Sequence, residues 1–193
     1  MSYKYINNIL AEVNLSWKFN NLIPNFGTIT EGPCWDGENL LFSNISHNRV
    51  LSYNIKNKTI NEIFSDTGEA NGLNFNINGE LFACEGGRRR IAKYNLDGSK
   101  ETVVDNLDGT KINSPNDLAI NNNGDIFFSD RVEDINPEMG LSFSSIISAE
   151  KQKDGSYKAF RRTFDTSMPN GLLFNEDQSI LYVAQSDYRA DRE

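Results

Sequence analysis

The chain has 193 residues, with 19 Lys and Arg against 27 Asp and Glu and a formal net charge of −8. Hydrophobic residues make up 38%, enough in a chain of this length for one domain with a sizeable core. The acidic balance argues against a nucleic-acid surface, which needs clustered Lys and Arg; the longest basic run is Arg88-Arg89-Arg90.

No window approaches the roughly 18 consecutive apolar residues of a transmembrane helix, so no membrane partner is expected. The amino-terminal stretch MSYKYINNILAEVNLSW lacks the charged-then-apolar layout and small-residue cleavage site of a secretory signal. A cytoplasmic location is the expectation. Two cysteines, Cys34 and Cys84, make no disulfide framework and read as small buried hydrophobes. The single histidine, His47, excludes a two-histidine zinc site. It lies in Ser46-His47-Asn48 between two apolar runs and reads as a solvated turn residue rather than a catalytic base.

Short runs rich in Leu, Ile, Phe, Tyr and Val alternate with Asn, Asp and Gly clusters, the pattern of β-strands and tight turns. In chain order, the first unit opens with Glu31-Gly32-Pro33-Cys34-Trp35 and a DGEN turn. It continues as LLFSNI (40–45), RVLSYN (49–54) and TINEIFS (59–65). The second runs NGLNFN (71–76), ELFACE (80–85), RIAKYN (90–95) and KETVVDN (100–106). The third runs Asn116–Ile120, DIFFSD (125–130), SIISAE (145–150) and YKAFRRTF (157–164). A fourth begins at Asn170–Phe174 and continues only as ILYVAQ (180–185).

Glu31, Asn71, Asn116 and Asn170 open these units about every 40–55 residues, and ten residues after each lies Leu41, Leu81, Ile126 or Ile180. Four strands per repeat at that period indicate a propeller. The expected fold is therefore all-β, an incomplete propeller of about three and a half four-stranded blades in a single domain over 1–193. Its blades fall at about 31–65, 71–106 and 116–164, with a half-blade at 170–185. The tail SDYRADRE offers no closing strand, so the chain reads as truncated, or as completed by another chain.

Innermost strands line a propeller's channel, so the four opening residues should converge there. Burying an unpaired carboxylate or amide costs several kcal/mol. A hard divalent cation would satisfy carboxylate and amide oxygens together. Asparagine also caps strands and bonds local turns. On the residues alone the two roles are evenly balanced.

At these same positions the chain resembles the SMP-30/gluconolactonase/luciferin-regenerating-enzyme family of six-bladed propellers, its bacterial gluconolactonase-like members most closely. The matching segments are ITEGPCWDGENLLFSNISHNRVLSYN (29–54), ANGLNFNINGELFACEGGRRRIAKYNLDG (70–98), LDGTKINSPNDLAINNNGDIFFSD (107–130) and PNGLLFNEDQSILYVAQSD (169–187). The resemblance implies a metal-dependent lactone hydrolase acting on a small sugar lactone. It implies one divalent cation, Ca²⁺ first, with Mg²⁺, Mn²⁺ or Zn²⁺ as alternatives. The metal-binding residues would be Glu31, Asn170 and Asn116. Asn116, Asn71 and Asp117 would face the substrate. The family's catalytic aspartate falls in a later blade, beyond Glu193, so the 193-residue chain alone is expected to be inactive. Two departures concern substrate identity. Gly86-Gly87 stands where related members often carry a histidine, and Arg131-Val132-Glu133-Asp134 replaces a proline-rich turn. A calcium-binding platform without activity, or another hydrolase or lyase on the same scaffold, are the alternative readings.

Overall fold

In the computed structural model, residues 28–132 and 140–187 are described. The readings made of the amino-terminal stretch, of Glu133-Asp134 and of the last six residues lie outside them. The first antiparallel sheet holds β1 (Thr30–Trp35), β2 (Asn39–Asn44), β3 (Arg49–Asn54) and β4 (Thr59–Ser65). The second holds β5 (Ala70–Phe75), β6 (Leu81–Glu85), β7 (Arg90–Tyr94) and β8 (Lys100–Val104). A two-stranded ribbon, β9 (Asn106–Leu107) with β10 (Thr110–Lys111), follows. The third sheet holds β11 (Ser114–Ile120), β12 (Ile126–Arg131), β13 (Ser145–Lys151) and β14 (Tyr157–Arg161). A last pair, β15 (Pro169–Phe174) and β16 (Leu181–Gln185), completes the described chain.

Each sheet is a meander whose first strand packs beside the first strand of the next. β1 contacts β5, β5 contacts β11, and β11 contacts β15. Among the described residues no ladder joins neighbouring sheets. The arrangement is propeller-like, with the four first strands around a common axis.

The period-2 side-chain alternation of a strand explains how a sheet binds two neighbours. In β6, Leu81 and Ala83 join a cluster with Leu41 and Val50 of the first sheet. Phe82 and Cys84 point the other way, into a cluster with Leu118, Ile126, Phe128 and Ile147 of the third. β7 divides likewise, with Ala92 and Tyr94 on the first side and Ile91 on the second. Both faces of β6 are therefore buried along its whole length, and each large side chain so buried contributes about 1.5–3 kcal/mol. The expectation for Cys84 holds. Cys34 is only half-buried and packs at the margin of the first cluster.

The turns follow from asparagine chemistry. Asn76 Oδ1 accepts the N–H groups of Asn78 and Glu80, and Asn121 Oδ1 accepts those of Asn123 and Asp125. Gly79 closes the first of these turns at φ 76°, a conformation open to glycine at little cost. His47 is exposed in a three-residue 3-10 turn, Ile45–His47, with Nδ1 3.3 Å from Thr28 Oγ1.

Two further features of the strands differ from the sequence reading. The β9–β10 ribbon was not anticipated. Asp108 and Gly109 at its tip both have positive φ, as a two-residue hairpin turn requires, but its two-residue strands are too short to show periodicity. The final strand of the third sheet ends at Arg161 rather than at residue 164.

Candidate metal and substrate cleft

The four first strands share one irregularity. Each slips register by one residue, between Glu31 and Cys34, Ala70 and Leu73, Pro115 and Leu118, and Pro169 and Leu172. Such bulges twist a strand and re-aim its side chains. The segments are Gly32-Pro33, Asn71-Gly72, Asn116-Asp117 and Asn170-Gly171.

This corrects the sequence register in the first sheet. Glu31 pairs with Ser43 just before the slip, as Ala70 pairs with Glu85, Pro115 with Asp130 and Pro169 with Gln185. Glu31 is thus one residue out of step with the three asparagines, and Gly32 is their counterpart. The cause is the DGEN turn. β1 and β2 are joined more tightly than β5 and β6, so Leu41 opposes Cys34 while Leu81 opposes Phe75.

The side chains nevertheless meet. Glu31, Asn71, Asn116 and Asn170 all line a cleft of about 290 Å³, completed by Gly32, Pro33, Leu73, Asp117 and Leu118 among others. The same four residues line an adjoining cleft of about 260 Å³ with Glu69, Gly86, Ser114 and Arg131. Asp117 therefore faces only the first space and Arg131 only the second, and the polar quartet forms their common wall.

Close approach of the bulges makes this convergence possible. A Cβ on Gly32 (φ 57°) would lie 2.1 Å from the Asn71 carbonyl oxygen, so only glycine fits there. Across the next junction, Asn74 Nδ2 donates to the Leu118 carbonyl at 3.3 Å.

Within the cleft the polar groups differ in commitment. Asn116 is buried, at 6% exposure, whereas Glu31 is exposed. Asn170 Nδ2 donates to Ser186 Oγ at 3.1 Å, which makes Oδ1 the end of that amide suited to a cation or a donor. Asp117 accepts the Leu118 N–H on Oδ1 at 2.9 Å and the Leu172 N–H on Oδ2 at 3.3 Å. Burial raises its carboxyl above the usual range, the two N–H donors oppose the rise, and the Glu31 charge adds to it. Among the described residues no trio of His, Cys, Asp and Glu side chains is grouped for a metal. Asp117 aside, the quartet of Glu31, Asn71, Asn116 and Asn170 offers one carboxylate and three amides, oxygen ligands of the kind that hard cations take.

A model of the family described as SMP-30/gluconolactonase/LRE-like region matches residues 29–190. The chain belongs to this family. A curated gluconolactonase from Zymomonas mobilis is 28% identical over 184 residues, covering 82% of this chain and 49% of the relative. A solved gluconolactonase from Xanthomonas campestris is 32% identical with a TM-score of 0.72, over 82% of this chain and 55% of that one. A luciferin-regenerating enzyme structure, 20% identical with a TM-score of 0.63, shares the fold over 82% of this chain and 52% of its own. The chain spans about half the length of these relatives.

As a family member the chain presents every site residue that the resemblance named within it at one cleft. Sequence reasoning missed the second cleft's Glu69 and Ser114, named Arg131 only as part of a replaced turn, and missed Ser186, which accepts from Asn170. Ser114 and Ser186 lie inside the matching segments 107–130 and 169–187 and could have been found there; Glu69 carries no such signal.

Proposed function

We infer that this SMP-30/gluconolactonase-family chain carries the cation-binding half of a metal-dependent sugar lactonase. The carrying observation is the convergence of Glu31, Asn116 and Asn170 on one cleft, with Asn71 beside them. The family match and the similarity to gluconolactonases supply the reaction class. The span of about half a relative supports a six-bladed ring to which this chain gives three and a half blades.

Glu31, Asn116 and Asn170 fit a divalent cation, Ca²⁺ first, through one carboxylate and two amide oxygens. When bound, the cation would polarise the lactone carbonyl and stabilise negative charge on its oxygen. Glu31, as the charged ligand, would anchor the site. The Asn71 and Asn116 amides offer both donors and acceptors to sugar hydroxyls. Water adds to the carbonyl carbon, the bond from that carbon to the ring oxygen breaks, and the ring oxygen takes up a proton to give the open hydroxy acid. Asp117 is unsuited to carry that proton, because two backbone N–H groups already occupy its oxygens. By family resemblance the proton carrier is an aspartate of a later blade.

The test is hydrolysis of glucono-δ-lactone by the full-length protein, with and without added Ca²⁺ after chelation. Metal-dependent ring opening that Glu31→Gln abolishes is the expected result. Full activity in excess chelator would overturn the metal assignment. Cation binding without turnover across a lactone panel would favour a non-enzymatic platform.

A further inference from the structure

The third bulge is unlike the other three. At the position occupied by Pro33, Gly72 and Gly171 in the other first strands, it carries Asp117. The carboxylate occupies a space its neighbours leave open. A Cβ on Gly72 would lie 2.5 Å from Asp117 Oδ1, and one on Gly171 would lie 3.7 Å from Oδ2. Asp117 thus sits between β5 and β15, with its main chain in β11. Its Oδ1 accepts the N–H of Leu118 on its own strand, and its Oδ2 reaches across to the N–H of Leu172 on β15. The Asp117 N–H is itself held by Ser129 Oγ of β12 at 3.0 Å.

No ladder joins β11 to β15, so this side chain supplies a direct hydrogen bond across the junction. The bond lands on the residue just past the bulge that carries Asn170, and it starts from the residue just past Asn116. We propose that Asp117 is a positioning residue that fixes the separation and orientation of Asn116 and Asn170 in the cleft. The inference rests on the cation-site reading for its consequence but not for its geometry. A charge-assisted hydrogen bond to backbone N–H is among the stronger kinds. Residues that orient metal ligands typically change affinity by about 10–100-fold when removed.

The experiment uses the full 193-residue chain and three variants: Asp117→Ala, Asp117→Asn and, as a control for general destabilisation, Val50→Ala in the core between the first two sheets. Side-chain amide NMR signals of Asn116 and Asn170 are recorded without metal, and Ca²⁺ affinity is measured by calorimetry. Asp117→Ala should move the Asn170 amide signals and weaken Ca²⁺ binding by about 10-fold or more, while Val50→Ala leaves both unchanged at a comparable loss of Tm. Asp117→Asn keeps the side-chain shape and one oxygen acceptor, and should show both effects to a smaller degree even if the alanine variant does not fold. Unmoved Asn170 amide signals in the metal-free Asp117 variants would overturn the proposal, as would an affinity change no larger than the control's. If the wild-type chain binds no Ca²⁺, the cation reading fails, and the metal-free spectra alone still decide whether Asp117 sets the two amides.

Discussion

Glu85 and Asp130 occupy the same position in successive sheets, each opposite the residue that precedes a bulge, and both are fully buried. Their surroundings differ. Glu85 Oε2 lies 2.7 Å from Arg90 Nε and 3.4 Å from Arg88 Nη1, and Oε1 accepts the Tyr94 hydroxyl at 2.9 Å. Burial and the Glu85 charge raise the Tyr94 hydroxyl well above its ordinary range, so it stays a donor. Asp130 Oδ2 accepts the Asn113 N–H at 3.0 Å, while Oδ1 has no hydrogen-bond partner.

Glu85→Ala should therefore destabilise the fold by about 3 kcal/mol, the lower end for breaking a buried ion pair. The lower end applies because Arg88 and Arg90 keep some exposure and can rehydrate. Urea unfolding measures it. A loss under about 0.5 kcal/mol, typical of exposed pairs, would show the cluster to be dispensable.

Asp130 makes the stability depend on pH. Burial pushes its carboxyl up to about 7, only partly offset by the Asn113 N–H and by Arg161 and Arg89. Between the ordinary value of 3.8 and about 7, the folded state holds a proton that the unfolded state has released. Stability from this group is thus greatest in acid, falls as pH rises through that window, and levels off above it. One group can contribute a slope of at most about 1.4 kcal/mol per pH unit. Asp130→Asn should remove that slope and raise Tm at pH 8. Thermal melts of both proteins from pH 5 to 8 decide it, and parallel profiles would contradict the assignment.

The fourteen longer strands among the described residues were legible as short apolar runs, many closed by an Asx or glycine turn, as Asn76–Glu80 shows. The convergence of Glu31, Asn71, Asn116 and Asn170 was legible from the repeat. The one-residue offset at Glu31 was not, because a bulge adds a residue without altering local composition, and a shorter DGEN turn offset the count. Nor was the commitment of Asp117, since a hydrogen bond to Leu172 N–H spans 55 residues. Such a contact depends on how sheets stack, which strand periodicity does not encode.

Gly72 tests that stacking directly. Besides Asp117 Oδ1, a Cβ there would meet Asp117 Cα at 2.7 Å and the Asn116 carbonyl oxygen at 2.9 Å. Two of these are main-chain atoms and cannot swing aside. Gly72→Ala should force β5 and β11 apart, at about 1–3 kcal/mol for an overpacked site, and weaken Ca²⁺ binding as well. Gly79→Ala has open space around it. It should cost stability through its positive φ but leave Ca²⁺ affinity unchanged. Equal loss of affinity in both variants would mean that the cleft senses global stability rather than the spacing of the first strands.

The cation should itself stabilise the chain. A ligand that binds only the folded state at 100 times its Kd adds about 2.7 kcal/mol, which for a domain of this size is a rise in Tm of about 5–10 °C. Ca²⁺ should produce that rise, and chelation should reverse it. Glu31 is exposed and makes its side-chain contribution at the cleft rather than in the core. Glu31→Gln should therefore leave the metal-free Tm within about 1–2 °C of the parent, as a surface substitution does, while abolishing the Ca²⁺-dependent rise. Asn71→Ala, removing an amide assigned to substrate rather than to the cation, should retain most of it. A Glu31→Gln chain that still gains the full increment would mean that the cation binds elsewhere, and that the one carboxylate of the quartet serves another purpose.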